Sequence, residues 1–126
     1  MLKLDTHTHI LPENWPDLAT KYGDPRFPVM THSGGHHRIY REGRFFREVW
    51  QSAFDAEYRI EDYARHGIQV QVVSTVPVLF SYWAKGHQAL DLHRHLNDHM
   101  AGLCHDHPRH YVGIGTVDTT CTWMPC

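Results

Sequence analysis

The stretch Asp5-Thr-His-Thr-His9, set directly after the apolar opening Leu2-Lys-Leu4, restricts the fold more than any other part of the chain. In an extended strand, side chains two apart leave the same face, so Asp5, His7 and His9 are expected to point one way. Same-face neighbours stand roughly 6.6 Å apart along a strand, which lets two imidazoles converge on one cation. Imidazole nitrogen suits zinc and other late first-row divalent ions, and a catalytic site needs about three protein ligands plus an open position. Spacing alone does not decide the matter, because the chain has 13 histidines and both His93/His95 and His105/His107 repeat it. Position favours the metal reading over a merely polar strand end. An apolar strand that turns polar at its C-terminal end and then meets Pro12 has the pattern of a parallel sheet or barrel mouth.

Further along, Trp15-Pro16-Asp17 opens a short helix through Tyr22 that Gly23 stops. Gly23 to Gly35 reads as loop from its Gly, Pro and Ser content, so His32, His36 and His37 are expected as surface residues. Arg38 to Trp50 reads as a hairpin around Glu42-Gly43. If those two residues are the whole turn, Arg41 faces Arg44 and Arg38 faces Arg47. Such pairs are unfavourable unless an anion lies between them, which points to an acidic ligand; a solvated arginine face is the alternative. Asp55 caps a helix to about His66, with Ala56, Ile60, Tyr63 and Ala64 on one face and Gly67 as its stop.

Ile68 to Val76 is the second strand, with Ser74 and Thr75 near its reactive end. Phe80, Tyr82 and Trp83 follow, either walling a site or simply packing. A helix from Gly86 to about Cys104 is marked by Ala89, Leu92, Leu96, Met100 and Leu103, with His95 and His99 as its polar border. Tyr111-Val-Gly-Ile-Gly115 is the third strand.

Hydrophobic residues make up 41% of the 126, and the net charge of -2 gives no basic patch suited to nucleic acid. Three cysteines form no even framework, the N-terminus lacks the long apolar run of a signal peptide, and no segment suits a membrane span. A cytosolic enzyme or enzyme fragment is the expectation.

Three blocks carry a family likeness: Asp5 to Leu18, Phe46-Arg47, and Ser74-Thr-Val-Pro-Val-Leu-Phe-Ser-Tyr-Trp-Ala-Lys85. Together they resemble the N-terminal part of the aminocarboxymuconate-semialdehyde decarboxylases, in the metal-dependent decarboxylase branch of the amidohydrolase superfamily. The resemblance runs from residue 2 to about Thr116. It implies an α/β chain forming the N-terminal portion of a (β/α)8 TIM barrel, with residues 1–116 as barrel, an insertion at about 10–54 carrying the hairpin, and 117–126 as a divergent tail. It implies zinc-dependent, non-oxidative decarboxylation of a dicarboxylate semialdehyde in tryptophan catabolism by the kynurenine route, by a cytosolic homodimer. On this likeness His7 and His9 are ligands of one Zn2+ and Arg47 contacts a substrate carboxylate. Asp5 either orients a ligand or satisfies backbone groups.

The general acid/base histidine and the remaining ligands are expected beyond residue 126, leaving no catalytic residue of that kind within the chain. A barrel of this type typically needs about 250 residues, so an incomplete barrel is expected. The sequence then reads as a truncated product, inactive alone, with an open sheet edge and an exposed apolar inner face. The competing readings are an amide, ester or lactone hydrolase, an aromatic-acid decarboxylase, or a non-catalytic fragment that pairs with a full-length subunit.

Overall fold

The structure is a computed structural model that describes residues 1–117. Its elements in order are β1 (Leu4–Ile10), α1 (Leu18–Tyr22), β2 (Val29–Ser33), β3 (His36–Arg41), β4 (Arg44–Val49), α2 (Ala56–Arg65), β5 (Val70–Thr75), α3 (His87–Asp106) and β6 (Tyr111–Ile114). Strands β1, β5 and β6 form a parallel sheet in the order β1-β5-β6, and β2, β3 and β4 form an antiparallel one.

The helix ends follow from single residues. Asp17 accepts a hydrogen bond from the Thr20 backbone N–H at 2.9 Å, and Asp55 accepts one from the Tyr58 N–H at 3.0 Å, satisfying donors that a helix start leaves open. Those N–H groups hold both carboxyls below the ordinary carboxylate range. Gly23 ends α1 at φ +64, a left-handed conformation that suits glycine.

The alternation along β5 sets the layers. Gln71, Val73 and Thr75 are buried towards the helices. One core, Ile10, Val73, Met100, Leu103 and Tyr111, lies between the parallel sheet and α3. A second, including Leu11, Leu18, Phe27, Ile39, Leu79 and Leu92, joins α1 and the antiparallel sheet to the first half of α3. Helix α3 lies so close to β6 that a Cβ on Gly113 would stand 2.6 Å from Met100 Cγ and 2.9 Å from Cys104 Sγ. The opposite face of the parallel sheet is open, leaving Leu4, Val112 and Ile114 each about half exposed. This exposed apolar face matches the expectation for a partial barrel.

Two expectations are corrected. Val29–Ser33 is a strand, not loop: Gly34-Gly35, at φ +58 and +77, is a two-residue turn that pairs Ser33 with His36. His32 therefore lies in β2, and His36 and His37 in β3. The second correction concerns the arginines. Arg41 does face Arg44 across Glu42-Gly43, but the register shifts between Ile39 and Tyr40, so Arg38 faces Glu48 and Arg47 faces Ile39. The shift replaces a repulsive pair by an Arg38–Glu48 ion pair at 3.2 Å. Past Val117, the expected divergent tail lies outside the described residues. Among those described, no helix is long and apolar enough to cross a membrane.

The Gly113 contact predicts opposite outcomes at two glycines. Gly113→Ala should destabilise the chain by about 1–3 kcal/mol through overpacking. Gly102→Ala, where an added Cβ meets nothing within 4 Å, should stabilise α3 by about 0.5–1 kcal/mol. Urea midpoints at unchanged slope measure both. His99 gives a pH prediction. Burial first, and the charge of His95 second, hold its ring below the ordinary 6.5. The unfolded chain thus takes up this proton more readily, so the contribution to stability is full above 6.5 and is lost as pH falls through and below that value. Between about pH 8 and about pH 5 the native chain should lose more thermal stability than His99→Gln; equal losses would count against this origin.

Candidate functional site

The site is built on a register slip in β1. Leu4 and Asp5 stand level with Val70 and Gln71, yet Thr8, His9 and Ile10 stand level with Val73, Ser74 and Thr75, so one extra residue is accommodated between Asp5 and Thr8. A bulge of this kind breaks the period of two. Asp5 is left level with Gln71, which is buried on the helix side, whereas His9 is level with Ser74 on the open side. The expected sharing of one face by Asp5 and both histidines does not occur. Asp5 instead accepts a hydrogen bond from the His7 backbone N–H at 3.1 Å, the backbone-satisfying role of its two expected ones.

The two imidazoles do lie side by side. Their ring centroids are 5.2 Å apart with planes at 86°. Nδ1 of His9 lies 3.0 Å from the Ser74 hydroxyl oxygen. With Nδ1–H donated to that hydroxyl, the Nε2 lone pair is left for a cation, the way an outer partner commonly fixes a metal-binding histidine. His7 lines an open recess of about 410 Å³ together with Val72, Ser74, Phe80, Tyr82 and Ile114. Phe80 and Tyr82 form one wall of it, their rings 5.3 Å apart. Trp83 packs elsewhere, against Phe27 at 4.7 Å and under the Arg26 guanidinium at 4.2 Å.

Two neutral imidazoles suit zinc as part of a ligand set. Among the described residues, however, no group of three or more His, Cys, Asp or Glu side chains could hold a metal ion. The donors present amount to two of the about three that a catalytic zinc site takes. Other histidines are engaged differently. His36 pairs with Glu48 at 2.9 Å and His37 with Glu13 at 3.2 Å, while the His32 and His37 rings meet at a tilt, centroids 4.3 Å apart. His95 donates to the Asn14 carbonyl at 3.0 Å.

Arg47 lies apart from the histidine pair. It is exposed on β4, with its guanidinium 5.9 Å from the Phe46 ring. It lines a second recess of about 360 Å³ with Leu11, Trp50, Val76, Pro77 and Val78. The segment following β5 borders both recesses.

Sequence reasoning missed Arg59. Arg59 is 5% exposed in α2 and has no carboxylate partner among the described residues. It donates to Gln71 Oε1, to the carbonyls of His9 and Ser52, and to Thr8 Oγ1, all within 2.7–3.2 Å. It thereby fixes the backbone of the very residues that follow the bulge. One signal could have revealed it: Arg59 is three residues after Ala56 and four before Tyr63, on the helix's apolar face.

No family model matches the chain. It is 43% identical over 122 residues to a 2-amino-3-carboxymuconate-6-semialdehyde decarboxylase of Dictyostelium discoideum, covering 96% of this chain and 34% of that protein. It is 40% identical over 116 residues to the protein of the same name from Caenorhabditis elegans, covering 91% and 29%. The chain therefore spans about a third of the length of the curated relatives it matches. The crystal structure of Metarhizium anisopliae IDCase in apo form superposes with a TM-score of 0.67 over 96% of this chain and 36% of that one. At 18% identity that likeness speaks for fold alone, the N-terminal portion of an α/β barrel.

The hub role of Arg59 is open to measurement. Arg59→Met keeps the helix and its apolar bulk but leaves four acceptors without this donor, and should cost about 2–4 kcal/mol in urea unfolding. A loss smaller than that of an exposed control, Arg65→Met, would contradict the assignment.

Proposed function

We propose, from the premise that this chain is homologous to the N-terminal portion of the 2-amino-3-carboxymuconate-6-semialdehyde decarboxylases in the amidohydrolase superfamily, that it forms the metal-binding edge of a decarboxylase barrel acting on a dicarboxylate semialdehyde. The observation that carries this reading is the pair of His7 and His9 rings 5.2 Å apart, with His9 tied to Ser74 at the C-terminal end of a parallel sheet. That end is the reactive face of barrels of this class. The likeness to two decarboxylases favours decarboxylation over amide, ester or lactone hydrolysis.

In this proposal His7 and His9 offer imidazole nitrogen to one divalent ion, and zinc suits those donors. When bound, such an ion polarises an oxygen of water or substrate. Ser74 holds the His9 ring in the tautomer that leaves Nε2 free. Arg47 grips a substrate carboxylate through two parallel hydrogen bonds, a task its planar fork suits better than a lysine would. Phe80 and Tyr82 flank the substrate's conjugated body. The remaining ligands and a proton-moving histidine are taken to come from beyond residue 126, and the whole enzyme to be a cytosolic homodimer. The chain by itself then lacks decarboxylase activity.

Titration calorimetry with zinc, supported by elemental analysis, tests the site. With two of the about three usual donors the chain should take up zinc only weakly, and His7→Ala or His9→Ala should abolish that uptake because a single imidazole holds the ion too loosely. Ser74→Ala should weaken it about 10-fold or more. Unchanged affinity in His7→Ala refutes the centre. In a near-ultraviolet substrate-depletion assay the chain should show no turnover; metal-dependent turnover lost on His7→Ala would overturn the inactivity of the isolated chain.

A further inference from the structure

The loop after β5 is held in a shape that its own sequence does not favour. Ser81 has φ +45, a left-handed conformation unfavourable for a residue with a Cβ, and it is buried. The loop's internal hydrogen bonds run from Leu79 N–H to the Val76 carbonyl, from Phe80 N–H to the Pro77 carbonyl, and from Ala84 N–H to the Ser81 carbonyl. The Phe80 carbonyl is bonded outside the loop, to His93 of α3, whose Nε2 lies 2.9 Å away. A carbonyl only accepts, so Nε2 carries the proton.

His93 is 3% exposed, and its other nitrogen, Nδ1, is buried with no hydrogen-bond partner among the described residues. Leaving a buried acceptor unpaired is a penalty that leucine at this position would avoid. Packing therefore does not account for an imidazole here, while the bond to Phe80 does. That bond acts at the residue whose ring, with Tyr82, walls the recess containing His7.

We infer that His93 is a positioning residue: by donating Nε2–H to the Phe80 carbonyl it sets the Phe80–Tyr82 wall of the recess beside His7. The functional meaning of that wall rests on the reading of the recess as a substrate site. The geometry of the bond does not, and the experiment separates the two.

The test uses the full chain, with no metal and no substrate. Nitrogen-15 spectra of labelled histidine should show His93 as the Nε2–H tautomer. His93→Gln places an amide N–H where Nε2 was, whereas His93→Asn imitates Nδ1 and His93→Leu keeps bulk alone. The Gln variant should retain the Phe80–Tyr82 ring contact in nuclear Overhauser spectra and slow exchange of the Leu79, Phe80 and Ala84 amides. The Asn and Leu variants should lose the ring contact and speed those exchanges about tenfold, with the Val73 amide in β5 unchanged as an internal control.

An Nδ1–H tautomer in the native chain overturns the inference. So does an intact wall in His93→Leu, or failure of Gln to differ from Asn. If the Leu variant does not fold, the native tautomer and the Gln–Asn contrast decide. Zinc uptake is a separate readout, so a chain that binds no metal would undo the proposed function without touching this result, and the reverse also holds.

Discussion

A buried guanidinium with no carboxylate partner among the described residues is the constraint on which the rest of this structure turns. Burying a charge is expensive unless its hydrogen-bonding capacity is met, and Arg59 meets it with neutral oxygens from three other parts of the chain. Two of those oxygens belong to Thr8 and His9, the residues that follow the bulge in β1. A bulge disturbs the regular ladder of a strand and leaves backbone groups to be satisfied in another way. Arg59 supplies a donor at that point, and Tyr63, one turn along α2, adds a hydroxyl beside Thr8. Strand, helix and the turn at Ser52 are thus locked together where the histidine rings emerge.

The bulge also separates two jobs that a regular strand would have placed on one face. After it, Thr8 and Ile10 turn to the helices while His9 turns to the open side with Ser74. Before it, Asp5 is spent on the local backbone. His7 therefore lines a recess with Val72, Ile114 and the aromatic pair, and His9 stands beside Ser74. An apolar surround of this kind strengthens any electrostatic attraction formed within it.

Much of this could be read from the residues. Asp17 and Asp55 announced their helices, Gly23 and Gly67 their ends, and the apolar spacing of α3 matches its buried face from Ala89 to Leu103. The His7–His9 proximity followed from the strand period even though the bulge undid it for Asp5. What escaped was tertiary. Gly34-Gly35 reads as loop, although two adjacent glycines at positive φ also form a two-residue hairpin turn, and only the pairing of Val29–Ser33 with β3 decides between those. The one-residue slip in β4 has no sequence mark of its own; it becomes intelligible once Glu48 is seen opposite Arg38. Arg59 was hidden because an arginine on a helix is ordinarily solvated.

The same segment after β5 gives the two recesses their separation. Val76, Pro77 and Val78 line the side that holds Arg47, and Phe80 and Tyr82 line the side that holds His7. Leu79, between them, is wholly buried and anchors the segment in the core with Leu92 and Leu96 of α3. The proposed function needs a fixed distance between Arg47 and the His7–His9 pair, because misplacement by about 1 Å costs catalysis heavily. The partition that fixes it is held by Leu79 in the apolar layer and by the His93 bond at its polar end. Hydrophobic burial alone would fix the depth of this segment while leaving the rotation of its carbonyls free. A directional hydrogen bond removes that freedom, which is why a polar ring at the edge of an otherwise apolar helix face makes structural sense here.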